Sequence, residues 1–180
     1  LVDLAARLHR PVEGGWLPEP LSSFIGRGQE LEELLDLVGS HRLVTLTGAA
    51  GSGKTRLAVA VAASAESLPP PVLVDLAVLS PGADVERAFA SGLGVVTADE
   101  SRLRDALRDV VAGRAHWLLV DNCEHVTVST ARLLADLLAS APRLRVLATS
   151  HAPLGVPGEV AYQVLPLRVP PEADDPAAVL

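Results

Sequence analysis

Methionine is absent from the 180 residues, lysine and cysteine each occur once, and Trp16, Trp117, Tyr162, Phe24 and Phe89 are the whole aromatic inventory. A lone cysteine, Cys123, excludes an internal disulfide. No apolar run reaches bilayer-spanning length and no signal-peptide pattern opens the chain, so no membrane partner and a cytoplasmic location are the expectation. With so few aromatics among 49% hydrophobic residues, Leu, Val and Ala must fill the core, which suits a parallel sheet covered by helices. Positive charge is short as well: 15 Lys and Arg stand against 22 Asp and Glu, a formal balance of −7. Binding a phosphate backbone depends on clustered Lys and Arg, so this stretch is expected to make no direct nucleic-acid contact. Lacking methionine and starting at Leu1, the chain reads as an excised piece of a longer protein, though large enough for one domain with a three-layer core.

The single lysine is Lys54, and it lies in Gly48-Ala49-Ala50-Gly51-Ser52-Gly53-Lys54-Thr55, a complete GxxxxGK[ST] phosphate-binding loop. Arginine serves everywhere else, so Lys54 marks a place that wants a compact ammonium rather than a planar fork. Glycines at 48, 51 and 53 let successive backbone N–H groups turn inward around phosphate oxygens. Lys54 can then reach the β- and γ-phosphates, and the Thr55 hydroxyl can ligate Mg²⁺. A helix starting near Gly53 would aim its positive end at the same anion, with Arg56 in its first turn. A glycine-rich turn matching by accident would need neither a strand before it nor a helix after it. Here Leu43–Thr47 reads as a short buried strand, and Thr55–Ser67, rich in Ala, Leu and Val, reads as a helix.

Along the rest of the chain, residues 1–21 combine a short amphipathic piece with turn-rich Pro and Gly, as a linker would. Leu31, Leu34, Leu35 and Val38 follow helical spacing over Gln29–Val38. Pro69-Pro70-Pro71 ends the helix after the loop, and Val72–Leu76 supplies a second strand. Helical patterns over 84–92 and 101–112 precede a third strand, Trp117–Asp121. A helix over 129–140 leads to a fourth strand, Arg145–Thr149, and Val160–Val164 suggests a fifth. Residues 168–180, Pro- and acid-rich, read as a second linker, which leaves 22–167 as the folded domain. Strands alternating with helices give an α/β domain whose ligands bind at the carboxyl ends of the strands.

The polar residues worth weighing fall at those ends. Asp121 closes an apolar strand, as a Walker B acid that holds Mg²⁺ does; an Asp that merely caps the next turn is the alternative. Asn122 follows, and an amide can orient water but cannot accept its proton at neutral pH. Glu124 is the nearest candidate base, or a solvated turn residue. Cys123 and His125, with no further Cys or matching His pair nearby, read as packing or turn residues rather than metal ligands. Thr149 and Ser150 end the strand expected between those bearing the loop and Asp121, where a hydroxyl could sense the γ-phosphate or simply cap the strand.

Several pieces together resemble one family. Ser22–Glu30, Arg42–Gly48 running into the loop, Leu119–His125, Leu144–Ser150 and Pro153–Glu159 are similar in order and spacing to the nucleotide-binding domain of large bacterial transcriptional regulators. These are the STAND or NB-ARC-type ATPases, AAA+-like P-loop proteins found in antibiotic-regulatory (SARP) and large LuxR-type regulators. The resemblance implies a P-loop NTPase three-layer sandwich, with a five-stranded, mostly parallel sheet in the order 5-1-4-3-2 and helices on both faces. It also implies a molecular switch: an ADP-bound resting form, an ATP-bound form that forms a homo-oligomer, and slow hydrolysis between them, with other domains of the regulator as partners. In that family the segment matching Phe24–Glu30 lies over adenine and ribose, so Ile25, Gly26 and Arg27 become candidate base-side contacts; from the residues alone, Arg27 is an exposed helix-start residue. One position departs: His151 stands where the family usually has an arginine that touches the γ-phosphate. The functional expectation is therefore an ATP/ADP-binding switch domain with slow ATPase activity, the rivals being an inactive nucleotide-binding scaffold and a small-molecule kinase.

Overall fold

The interior strands of the sheet are buried on both faces, and that property decides the architecture. The computed structural model describes residues 26–80 and 83–166. The expected linkers, 1–21 and 168–180, and the candidate contact Ile25 lie outside the described residues. In chain order the elements are α1 Gly28–Ser40, β1 Leu43–Thr47, α2 Lys54–Ser64, β2 Pro71–Asp75, α3 Val85–Leu93, α4 Leu103–Gly113, β3 His116–Asp121, α5 Thr127–Ser140, β4 Leu144–Ser150 and β5 Glu159–Gln163. Single turns of 3₁₀ helix at Glu100–Arg102 and Cys123–His125 lead into α4 and α5.

The five strands run in the order β2-β3-β4-β1-β5, which is 5-1-4-3-2 read from the other edge. All four pairings are parallel, so the sheet is wholly rather than mostly parallel. Alternation along β3 shows how both faces are used: Trp117 and Leu119 enter one core, Leu118 and Val120 the other. The first core is closed by α1 through Leu34 and Val38 and by α2 through Leu57, Ala58 and Val61. On the opposite face Phe89 of α3, Leu107 and Val111 of α4, and Leu133, Leu134 and Leu137 of α5 form the second. Helix α2 is apolar almost all round and is buried from Leu57 to Ser64, as expected of a helix enclosed by a sheet on one side and α1 on the other.

Where boundaries differ from the sequence expectation, local chemistry explains it. Helix α2 stops at Ser64, three residues short of Ser67, because Glu66 and Leu68 donate their N–H groups to Ser64 and Ala65 in a turn that delivers the proline run to the sheet. Strand β2 begins at Pro71, one residue early; as the first residue of an edge strand, proline gives up no ladder bond that the sheet needs. Strand β4 extends to Ser150 and pairs it with Thr47, which carries both candidate hydroxyls to the end of β1.

Candidate functional site

The loop between β1 and α2 has the backbone its glycines anticipate. Gly48, Gly51 and Gly53 have φ of 149°, 75° and 87°, all in the region that favours glycine. At Gly48 space matters too: a Cβ there would sit 2.5 Å from the Val164 carbonyl oxygen. The Ser52 N–H closes the turn onto the Ala49 carbonyl at 3.2 Å. Gly53 precedes α2 and offers no side chain to cap it, so the helix presents an uncapped positive end. Lys54 is buried, and its ammonium donates to the carbonyls of Gly48 and Ala49 at 2.9 Å each. Ser52 Oγ is buried without a hydrogen-bond partner, while Ala50 and Arg56 are exposed on the loop and the first turn.

Asp121 arrives from β3 on the same sheet face as Trp117 and Leu119, the face that carries α2. It is 6% exposed, and its Oδ1 accepts the Thr55 hydroxyl at 3.0 Å and also the Thr149 hydroxyl. Thr149 Oγ1 in turn accepts the Asn122 N–H at 3.0 Å. The strand order places Thr149 between loop and acid as anticipated, and its hydroxyl holds the acid in place. Ser150 is buried beside Thr47.

Asn122 is the one non-glycine with positive φ among the described residues, 61°, a conformation asparagine tolerates better than most. Its amide nitrogen donates to Asp75 Oδ1 at 3.0 Å and Asp121 Oδ2 at 3.1 Å, so that group is committed to two carboxylates. Asp75, not among the residues that the sequence singles out, ends β2 in register with Asp121. Glu124 Oε1 lies 3.6 Å from His151 Nε2, and Glu124 Oε2 is buried with no partner. The candidate base thus meets His151. Cys123 is fully buried; desolvation, followed by the nearby carboxylates of Glu124 and Asp121, pushes its thiol far above the ordinary range. His125 is exposed, and no cluster of three or more His, Cys, Asp or Glu suited to a metal occurs among the described residues.

Arg27 corrects the expectation of an exposed helix-start residue. It is only 5% exposed, with Nη2 donating to the Ser52 carbonyl at 2.6 Å and the Leu165 carbonyl at 2.9 Å, and Nη1 to Glu30 Oε1 at 3.0 Å. It ties the loop to the segment after β5. Gly26 is exposed, with φ of 84° and open space where a Cβ would be.

The residues fit a nucleotide and a hard cation. Thr55 and Asp121 offer oxygen donors 3.0 Å apart, and Mg²⁺ takes one or two carboxylates while keeping several waters. The uncapped helix start, the glycine backbone and the lone ammonium form a donor set for anionic oxygens. Bound there, a metal would supply charge neutralisation at the phosphates.

Comparison with known proteins is consistent with this donor set. A family model described as an AAA domain matches residues 36–153. A "Putative HTH-type transcriptional regulator" of Mycobacterium tuberculosis is 36% identical over 137 residues, 76% of this chain and 16% of the relative. An "Uncharacterized protein" of the same species is 35% identical over 155 residues, 85% of this chain and 39% of the relative. This chain therefore spans well under half the length of these curated relatives. Among solved structures, a signal transduction ATPase with numerous domains (STAND) and a tetratricopeptide repeat sensor, from Pyrococcus horikoshii, superposes with a TM-score of 0.57 at 16% identity, covering 83% of this chain and 24% of that one. The Orc1 protein of Aeropyrum pernix, solved in complex with DNA, gives 0.59 at 19% identity, covering 85% and 48%. At such identities these two structures speak to the fold alone. No described helix is long and apolar enough to cross a membrane. With the family match spanning most of the described residues and the parallel sheet in the matching order, the chain belongs to the AAA-type P-loop NTPase domains.

Proposed function

We propose that this chain is the ATP/ADP-binding switch domain of a cytoplasmic transcriptional regulator, with slow ATPase activity, whose nucleotide state sets conformation and oligomerisation. The observation that carries the reading is the meeting of the phosphate loop with the β3 acid: Thr55, beside the lone lysine, bonds Asp121, which Thr149 grips from the neighbouring strand. In this reading residues 22–167 are the domain, Gly48–Arg56 cradle the phosphates, and Lys54 balances their charge. Thr55 and Asp121 hold Mg²⁺, Thr149 and Ser150 report the γ-phosphate, and Glu124 orients water. Ile25, Gly26 and Arg27 stay the candidate base-side contacts of this reading, the Arg27 guanidinium being engaged with the Ser52 and Leu165 carbonyls. The regulator-type relatives support the transcriptional setting, and the charge of −7 supports placing DNA contact outside this stretch.

Nucleotide binding would stabilise the fold by mass action, about 2.7 kcal/mol at a hundredfold excess over the dissociation constant. Thermal denaturation with and without ADP or ATP tests this: a clear upward shift is expected in the native chain and none in Lys54→Ala. An equal shift in both would place the nucleotide elsewhere.

A second reading, binding without turnover, is favoured by Asn122, whose amide is spent on Asp75 and Asp121 instead of a water. Steady-state phosphate release separates the two: slow but Lys54-dependent release supports the switch, and binding with no release supports the inactive scaffold.

A further inference from the structure

We propose that Arg27 is a positioning residue that aims one donor of the phosphate cradle and ties that donor to the segment by which the chain leaves the sheet, so that a nucleotide diphosphate seated in the loop is felt at residues 164–166; this rests on the nucleotide reading above.

The first half follows from the planarity of the peptide bond. The Ser52 carbonyl and the Gly53 N–H belong to one trans peptide plane and point in opposite directions. Arg27 Nη2 holds that carbonyl at 2.6 Å, and in a planar peptide this fixes the direction in which the Gly53 N–H points. The guanidinium stands close behind: the position a Gly53 Cβ would take is 3.7 Å from Nη2. Glu30 pins the other branch of the fork at 3.0 Å, and the Arg27 side chain is 4% exposed, so the fork is held on both branches. A lysine could hold one of these carbonyls as a point charge but could not reproduce the planar fork.

The second half follows from the same nitrogen. Nη2 carries two hydrogens; one meets Ser52 and the other the Leu165 carbonyl at 2.9 Å. One residue earlier, the Val164 N–H donates to the Thr47 carbonyl at 2.7 Å, and the Val164 carbonyl closes on Gly48 so tightly that a Cβ would lie 2.5 Å away. The exit segment is therefore fastened to the loop at both of its ends, Gly48 and Ser52. Any shift of the Ser52–Gly53 peptide as an anion seats moves the carbonyl that accepts from Nη2, the nitrogen that also donates to the Leu165 carbonyl. Partners 25 and 138 residues away in sequence are joined through one side-chain atom.

Hydrogen–deuterium exchange on the intact chain, with and without saturating ADP and Mg²⁺, tests the coupling. Slower exchange of the Val164 and Leu165 amides on nucleotide addition is expected. In Arg27→Lys, ADP affinity should fall about tenfold, the scale of one lost charge-assisted hydrogen bond. At an ADP concentration that still saturates this variant, the response at 164–165 should be gone. Should Arg27→Lys not fold, Glu30→Ala frees one branch of the fork without removing it, and a weakened response is expected. Native chain that binds ADP with unchanged exchange at 164–165, or a variant that keeps the full response at saturation, overturns the proposal while leaving the nucleotide site standing. No ADP binding by the native chain overturns the nucleotide reading and the coupling with it.

Discussion

At the amino-terminal end of the strands, arginines are spent on closing helices. Arg42 donates to the carbonyls of Leu138 and Ala141 where α5 ends, and Arg145 to those of Val38 and His41 where α1 ends. Each places a cation against the negative end of a helix and satisfies carbonyls that have no partner within it. At the carboxyl end the pattern reverses. The lone lysine sits at the start of α2, whose positive end has no side-chain cap, while Ser52 Oγ and Glu124 Oε2 are buried without partners. One end of the sheet spends its cations on closing helices, and the other gathers the phosphate-loop lysine, an uncapped helix start and the β3 acid.

The largest break in that contrast should come from Gly48→Ala. The new Cβ would meet a backbone oxygen and adopt a φ closed to alanine, so a loss of at least about 3 kcal/mol of stability is expected in chemical denaturation, together with the nucleotide response. Next in size, Arg145→Met at the amino-terminal end should cost about 1–2 kcal/mol through the freed carbonyls of α1, with the shift produced by ADP unchanged. Altered nucleotide affinity in that variant would blur the division between the two ends. The smallest effect concerns Cys123, beside the site yet in the core. Its buried thiol, held protonated by desolvation, should resist iodoacetamide in the folded chain at neutral pH and react fully in denaturant, as counted by mass spectrometry.

The legible part of this fold is the local part. Leu43–Thr47, the glycine spacing and Lys54 lie within a dozen residues of one another, and the backbone follows them. Trp117–Asp121 was readable because a strand buried on both faces is apolar throughout, and the acid at its end stands out. Arg27 was not readable as a brace, since its partners lie 25 and 138 residues away and a helix-start arginine has no local signature of burial. Asp75 is hard to read for a similar reason: only strand register shows that it ends beside Asp121, although an acid closing an apolar strand is a signal in the sequence. The approach of His151 to Glu124 joins two loops that sequence offers no means of juxtaposing.

The most direct test of the central claim is calorimetric titration of ADP with Mg²⁺ into the native chain and into Lys54→Ala. The account expects one binding site in the native chain and no measurable binding in the variant. Equal binding in both, or none in the native chain at millimolar ADP, would contradict it.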